Sequence, residues 1–290
     1  MKHLKYIIPS LALAMVAITL PAFAATAGNG QDDRVQWTQV SDLQLPNKPL
    51  DIAYSLDGNY AFILTDSKQV LVYNQQGKLQ GRIPAGEGVS AIDISPRGEF
   101  LYLIDSKDNR LSTLAVDFIL DIDISDSPIK GKIGAPVTVA VFSDFECSYC
   151  SKLLPILEQA LKRNPETVKI AFKNFPLQNH KMAGPAALAA LAAKEQGKFW
   201  EFHDRLFAEE KVTTDSFSKI ATELGLNQER FNADQKSPLL VQKLNKDMAE
   251  AYKFGITGTP AVFVNGKKLN QRTIEELQRL IDEELSKPTK

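Results

Sequence analysis

The feature that most narrows the fold of this chain is a nearly continuous apolar stretch, Val137 to Phe142, that leads into Cys147-Ser148-Tyr149-Cys150 and then into an amphipathic segment. Hydrophobicity broken only by Thr138 over six residues is the mark of a central strand covered on both faces. Beyond the first cysteine, Cys150, Leu153, Leu154, Leu157 and Leu161 fall at i, i+3, i+4, i+7 and i+11, which predicts a helix with Cys150 on its buried face. A strand that feeds C-x-x-C at a helix start puts Cys147 where unpaired backbone N–H groups and the helix dipole stabilise an anion. Cys147 is therefore expected to be the attacking thiolate, and Cys150, one turn on, the thiol that resolves a mixed disulfide.

These are the only two cysteines in 290 residues. A disulfide between them closes a very small loop and contributes little to stability, so the pair reads as reactive rather than structural. A zinc site would need four ligands, and the only histidines besides His3 are His180 and His203. No metal and no bound cofactor is expected. His203 lies in an amphipathic stretch with Trp200, Phe202 and Phe207 and reads as a partly buried packing histidine, while Lys173 reads as an exposed strand-end lysine.

Residues 1–24 combine Lys2 and Lys5, an apolar run from Ile7 to Leu20 and Ala22-Phe23-Ala24, the pattern of a cleaved secretory signal peptide. The expected location is the periplasm. A net charge of −1 offers no basic stripe for nucleic acid.

Residues 35–117 carry an internal repeat. Ile52, Ser55 and Gly58 recur forty positions on as Ile92, Ser95 and Gly98, and Tyr60-Ala61-Phe62-Ile63-Leu64 returns as Phe100-Leu101-Tyr102-Leu103-Ile104. Turn signals at Asp57-Gly58, Gln76-Gly77 and Arg97-Gly98 separate short β-branched and aromatic runs, as in four-stranded blades. Both copies resemble the blades of YVTN and WD40-like β-propellers. Two blades cannot close a propeller, which has typically about four to eight. Either the strands form a small sandwich or open sheet, or their edges pair with another chain to give a homo-oligomer. Residues 118–135, rich in Asp, Ser, Pro and Gly, are read as a linker, with the second domain spanning 136–288.

In that second domain Val168 to Phe172 predicts a strand parallel to the first, and residues 180–255 a run of helices. Ala261 to Leu269 predicts a hairpin on Asn265-Gly266, followed by a last helix opened by Thr273 and Glu276.

The stretch Phe142 to Cys150, together with Phe172-Lys173-Asn174-Phe175-Pro176-Leu177, Gln196-Gly197-Lys198-Phe199-Trp200 with His203-Asp204, and Gly258-Thr259-Pro260-Ala261, resembles the DsbA-like thioredoxin-fold family over roughly residues 126–288. The resemblance implies an α/β thioredoxin-like fold with a helical insertion, joined here to a separate all-β N-terminal domain. It implies thiol–disulfide exchange with exported proteins, a membrane redox partner, a cis Thr259-Pro260 bond beside the cysteines with the Thr259 backbone binding substrate, and a helix kink at Pro155. Strongly oxidising members of the family hold a histidine between the cysteines, and Ser148 and Tyr149 stand there in this chain. Asp144 and Glu146 either raise the Cys147 pKa or act as solvated acids at the helix N-terminus. Oxidase, isomerase and reductase share these catalytic residues and differ in potential and partner. The readings from other classes are a copper-binding protein that uses the two thiolates as soft ligands, and a client-binding chaperone.

Overall fold

A computed structural model describes residues 30–287 apart from Asp33, Asp57 and Arg97, so the expected signal peptide lies outside the described residues. The chain divides into two compact units between Leu114 and Ala115.

The first unit is all β. A short hairpin of β1 (Gly30–Asp32) and β2 (Val35–Trp37) precedes two antiparallel meanders. The first meander has four strands, β3 (Pro49–Tyr54), β4 (Tyr60–Thr65), β5 (Gln69–Asn74) and β6 (Leu79–Pro84). The second has three, β7 (Val89–Ile94), β8 (Phe100–Asp105) and β9 (Arg110–Ala115). The repeat extends to single hydrogen bonds. Ser55 Oγ accepts from the Tyr60 N–H at 3.0 Å, and Ser95 Oγ from the Phe100 N–H at 2.9 Å. Gly58 and Gly98 turn these corners at φ of 67° and 76°, a region open to glycine at little steric cost. The meanders are tied together where Asp51 Oδ2 accepts the Ile92 N–H at 2.8 Å. The second copy differs from expectation: after β9 the chain leaves for the other unit, so its sheet has three strands instead of four.

The second unit is built on a five-stranded sheet of order β10-β12-β11-β13-β14. Its strands are β10 (Ile129–Gly131), β11 (Val137–Ser143), β12 (Val168–Asn174), β13 (Ala261–Val264) and β14 (Lys267–Lys268). β11 and β12 run parallel, with Val137 opposite Val168 and Ser143 opposite Asn174, and the other pairs are antiparallel. α1 (Ser148–Arg163) crosses from β11 to β12. The insertion between β12 and β13 holds α2 (Ala183–Lys194), α3 (Phe199–Ala208), α4 (Thr214–Glu223), α5 (Gln228–Asp234) and α6 (Pro238–Lys253), and α7 (Ile274–Leu285) closes the chain. Alternation along the strands feeds two cores. Val137, Val139, Val141 and Ile170 pack on α1 and α7 through Leu153, Leu157, Leu277 and Ile281. Phe142 and Phe263 form a second cluster with Ala251 of α6, to which Leu120 and Ile122 add.

Residues 118–135 are therefore part of this unit. β10 pairs with the edge of β12, the Leu120 N–H donates to the Gly266 carbonyl at 3.0 Å, and Lys243 and Lys246 hold Asp126 and Asp123 at 3.2 and 2.8 Å. Lys173 is also unlike its sequence reading. It points to the sheet face opposite Ile170, has no solvent exposure, and meets Asp247 Oδ1 at 2.7 Å, Glu250 Oε2 at 2.9 Å and the Asp123 carbonyl at 2.8 Å. Burial works against its charge, but the Asp247 and Glu250 carboxylates outweigh that and raise its pKa.

Candidate active site

Cys147 is the N-cap of α1, in extended conformation at φ −81° and ψ 112°, and no side-chain oxygen caps this helix. Its sulfur sits where the helix leaves N–H groups without intrahelical partners. The Cys150 N–H returns to the Cys147 carbonyl at 2.9 Å, which closes the first turn and brings the second thiol under the first. Cys147 is 7% exposed and Cys150 1%, and both are free thiols.

The two thiols are chemically opposite. A hydrogen bond from Cys150, aided by Thr259 and by the N–H groups of Cys150 and Tyr149, brings the Cys147 pKa down to about 5 against the opposing effect of burial. The same hydrogen bond needs the Cys150 proton, and with burial it drives the Cys150 pKa far upward. One proton is thus held between two sulfurs, on the inner one.

Thr259, 112 residues away in sequence, closes the site from the other side: its carbonyl lies 3.5 Å from Cys147 Sγ. The Thr259–Pro260 bond is cis, as the resemblance implied, and Arg272 fastens the loop by donating to the Pro260 carbonyl at 2.9 Å. Of the dipeptide between the cysteines, Tyr149 is 65% exposed with Lys152 over its ring, and the Ser148 carbonyl accepts from Ser151 Oγ at 2.9 Å. Pro155 lies inside α1.

Asp144 is buried and Glu146 half-buried, and both carboxylates accept backbone N–H groups. The Asp144 carboxylate is fully buried; Oδ1 accepts the Glu146 N–H at 2.7 Å, and Oδ2 accepts the Leu177 N–H at 2.8 Å and meets His180 Nδ1 at 2.8 Å. Glu146 Oε2 accepts the Met182 N–H at 2.5 Å. His180 was passed over in the sequence, although one signal was available. β11 and β12 are parallel neighbours, so the loops leaving their C-terminal ends lie at the same edge of the sheet.

Behind Cys150 a narrow cavity is lined by Ser143, Phe172, Trp200 and His203 and reaches Lys130 and Glu158. His203 is 2% exposed, packed edge-on to Phe145 and Phe172, and bonded to Asp204 at 2.8 Å. Burial lowers its pKa and keeps it neutral. Among the described residues no cluster of three or more His, Cys, Asp or Glu side chains could hold a metal ion, and no helix is long and apolar enough to cross a membrane.

Comparison with known proteins agrees with this geometry. The model of the family described as Thioredoxin matches residues 124–283. A probable disulfide bond formation protein D from Bacillus anthracis is 33% identical over 172 residues, which cover 54% of this chain and 77% of that protein. A Na(+)/H(+) antiporter NhaA 3 from Salinispora tropica is 33% identical over 155 residues, 53% of this chain, and the chain spans only 24% of the antiporter's length. Among solved structures, a thioredoxin-like oxidoreductase from Silicibacter pomeroyi superposes with a TM-score of 0.53 at 28% identity, covering 57% of this chain and 95% of that one. Oxidised BdbD from Bacillus subtilis superposes with a TM-score of 0.52 at 26% identity, covering 57% and 96%. The chain belongs to the thioredoxin family, with the disulfide bond formation protein D among its relatives.

Proposed function

We propose that this chain is a periplasmic thiol:disulfide oxidoreductase, an oxidase or isomerase that exchanges disulfides with exported proteins through Cys147 and Cys150. The observation that carries this reading is the division of labour between the thiols, one held at about 5 and the other driven up by the same hydrogen bond. In the reducing direction the Cys147 thiolate attacks one sulfur of a client disulfide; the S–S bond breaks, the second client sulfur leaves as a thiolate, and a mixed disulfide remains. Cys150 then gives up its proton and attacks Cys147 Sγ, which releases the client dithiol and leaves the Cys147–Cys150 disulfide. The reverse sequence oxidises a client dithiol. Thr259 and Pro260 line the approach to the sulfur and receive the client backbone. A membrane redox partner resets the pair, and β9, which has no strand on its outer side among the described residues, supports self-association through the first unit.

The test is to equilibrate the protein in glutathione buffers while measuring client oxidation, client reduction and refolding of a scrambled disulfide protein. Cys150→Ser should accumulate a mixed disulfide with client, and Cys147→Ser should neither turn over nor form an adduct. A Cys150→Ser protein that forms no adduct would overturn the reading.

A further inference from the structure

Three bonds strap the loop after β12 to the loop that carries the cysteines. They run from the Leu177 N–H to Asp144, from His180 to Asp144, and from the Met182 N–H to Glu146. The central one is unlike the other two. The Asp144 carboxylate is wholly buried and already accepts two backbone N–H groups, so as an anion it requires Nδ1 of His180 to be the protonated nitrogen. A buried anion bonded in this way favours the imidazolium over the neutral ring. His180 remains 23% exposed, so its ring can exchange protons with solvent. Asp144 also anchors the attacking residue itself, since its carbonyl accepts the Cys147 N–H at 3.1 Å. The residues that hold the histidine and the residues that hold the thiolate are therefore the same short loop.

Resting on the proposed thiol–disulfide chemistry, we infer that His180, clamped by Asp144, is a positioning residue of the redox site: its imidazolium is the cation that stabilises the Cys147 thiolate. It supplies from another loop a charge that Ser148 and Tyr149 do not. The charged and titratable groups facing it are Asp144, Glu146 and Cys147, with Lys181 next to it in the chain. Partial burial opposes its charge, and the hydrogen bond and charge of Asp144, with Glu146 and the thiolate, overcome that and raise its pKa. The coupling is reciprocal. A thiolate at Cys147 holds the proton on His180, and a charged His180 holds the thiolate. Stabilising the thiolate stabilises the reduced form, so the charged histidine makes the disulfide more oxidising. That contribution is present below the raised His180 pKa and fades as pH rises through it.

Two measurements test this. The first follows the His180 ring by NMR through a pH titration of the reduced protein, the disulfide form and Cys147→Ser. Its pKa should be higher in the reduced protein than in the two forms without a thiolate, by about half a unit or more. The second titrates thiolate absorbance and the glutathione equilibrium in His180→Gln, which keeps a donor for Asp144 without the charge, and in His180→Lys, which restores a charge. His180→Gln should shift the thiolate equilibrium about tenfold toward thiol and make the disulfide less oxidising, with recovery in His180→Lys. Equal His180 titration in all three forms, or a His180→Gln thiolate curve that overlays the parent, overturns the inference. Mixed-disulfide trapping by Cys150→Ser remains a separate readout, so this inference can fail while the assignment of the cysteines stands.

Discussion

At the scale of single residues, the reactivity of this site depends on where one proton resides. A Cys147 pKa of about 5 leaves the group almost wholly as thiolate at neutral pH. It also makes Cys147 a good leaving group when the Cys147–Cys150 disulfide is attacked. Alkylation of the reduced protein by iodoacetamide should accordingly follow a single titration with its midpoint near 5 and level off above about pH 6, since only the thiolate reacts. Cys150, 1% exposed and with its pKa raised, should stay unmodified until the fold is lost, which mass mapping of the alkylated peptides checks. Modification of Cys150 at the same rate would show that the inner sulfur is not shielded.

At the scale of elements, α6 and the segment before β10 are joined through the buried Lys173. Lys173→Met removes the cation that Asp247 and Glu250 share and leaves Asp247 with Lys243 alone among the described cations, at 2.6 Å, which should cost about 3 kcal/mol in urea unfolding. A second prediction concerns where this unit begins. A chain starting at Pro136 lacks β10, Leu120 and Ile122, so it should melt well below one starting at Val116, as read by circular dichroism. These contacts could have been read in the sequence. Val116, Phe118, Leu120, Ile122 and Ile124 alternate with Asp117, Ile119, Asp121, Asp123 and Ser125, a set polar but for the exposed Ile119, and it is the former set that is partly buried. The frequency of Asp, Ser, Pro and Gly concealed that period-two signal, and a three-residue edge strand such as β10 is too short to show a period. Long periodic elements were legible: β11, α1, α7 and the Asn265-Gly266 hairpin lie where their patterns place them, with Asn265 and Gly266 at φ of 45° and 83°. Lys173 and His180 were not, because their partners come from elements more than 30 residues away, and no local pattern records a long-range ion pair.

At the scale of the whole molecule, two units of different architecture share one chain. The first has a four-stranded and a three-stranded sheet, so β9 presents an edge with no strand beside it among the described residues. Natural proteins seldom leave such edges uncovered. Light scattering on the chain from Ala25 should therefore report an oligomer at micromolar concentration, and on a chain from Val116 a monomer. Two monomers would remove self-association as the role of the first unit. The separation of Cys147 from Thr259 by 112 residues has a consequence for the order of events in synthesis. A ribosome adding roughly 5–20 residues per second takes on the order of ten seconds to travel that distance. Throughout that interval the nucleophilic sulfur exists without the carbonyl that later covers it. The reactivity that the folded site confers on Cys147 is therefore acquired only after Thr259 has been added, and until then the sulfur is closer to an ordinary thiol.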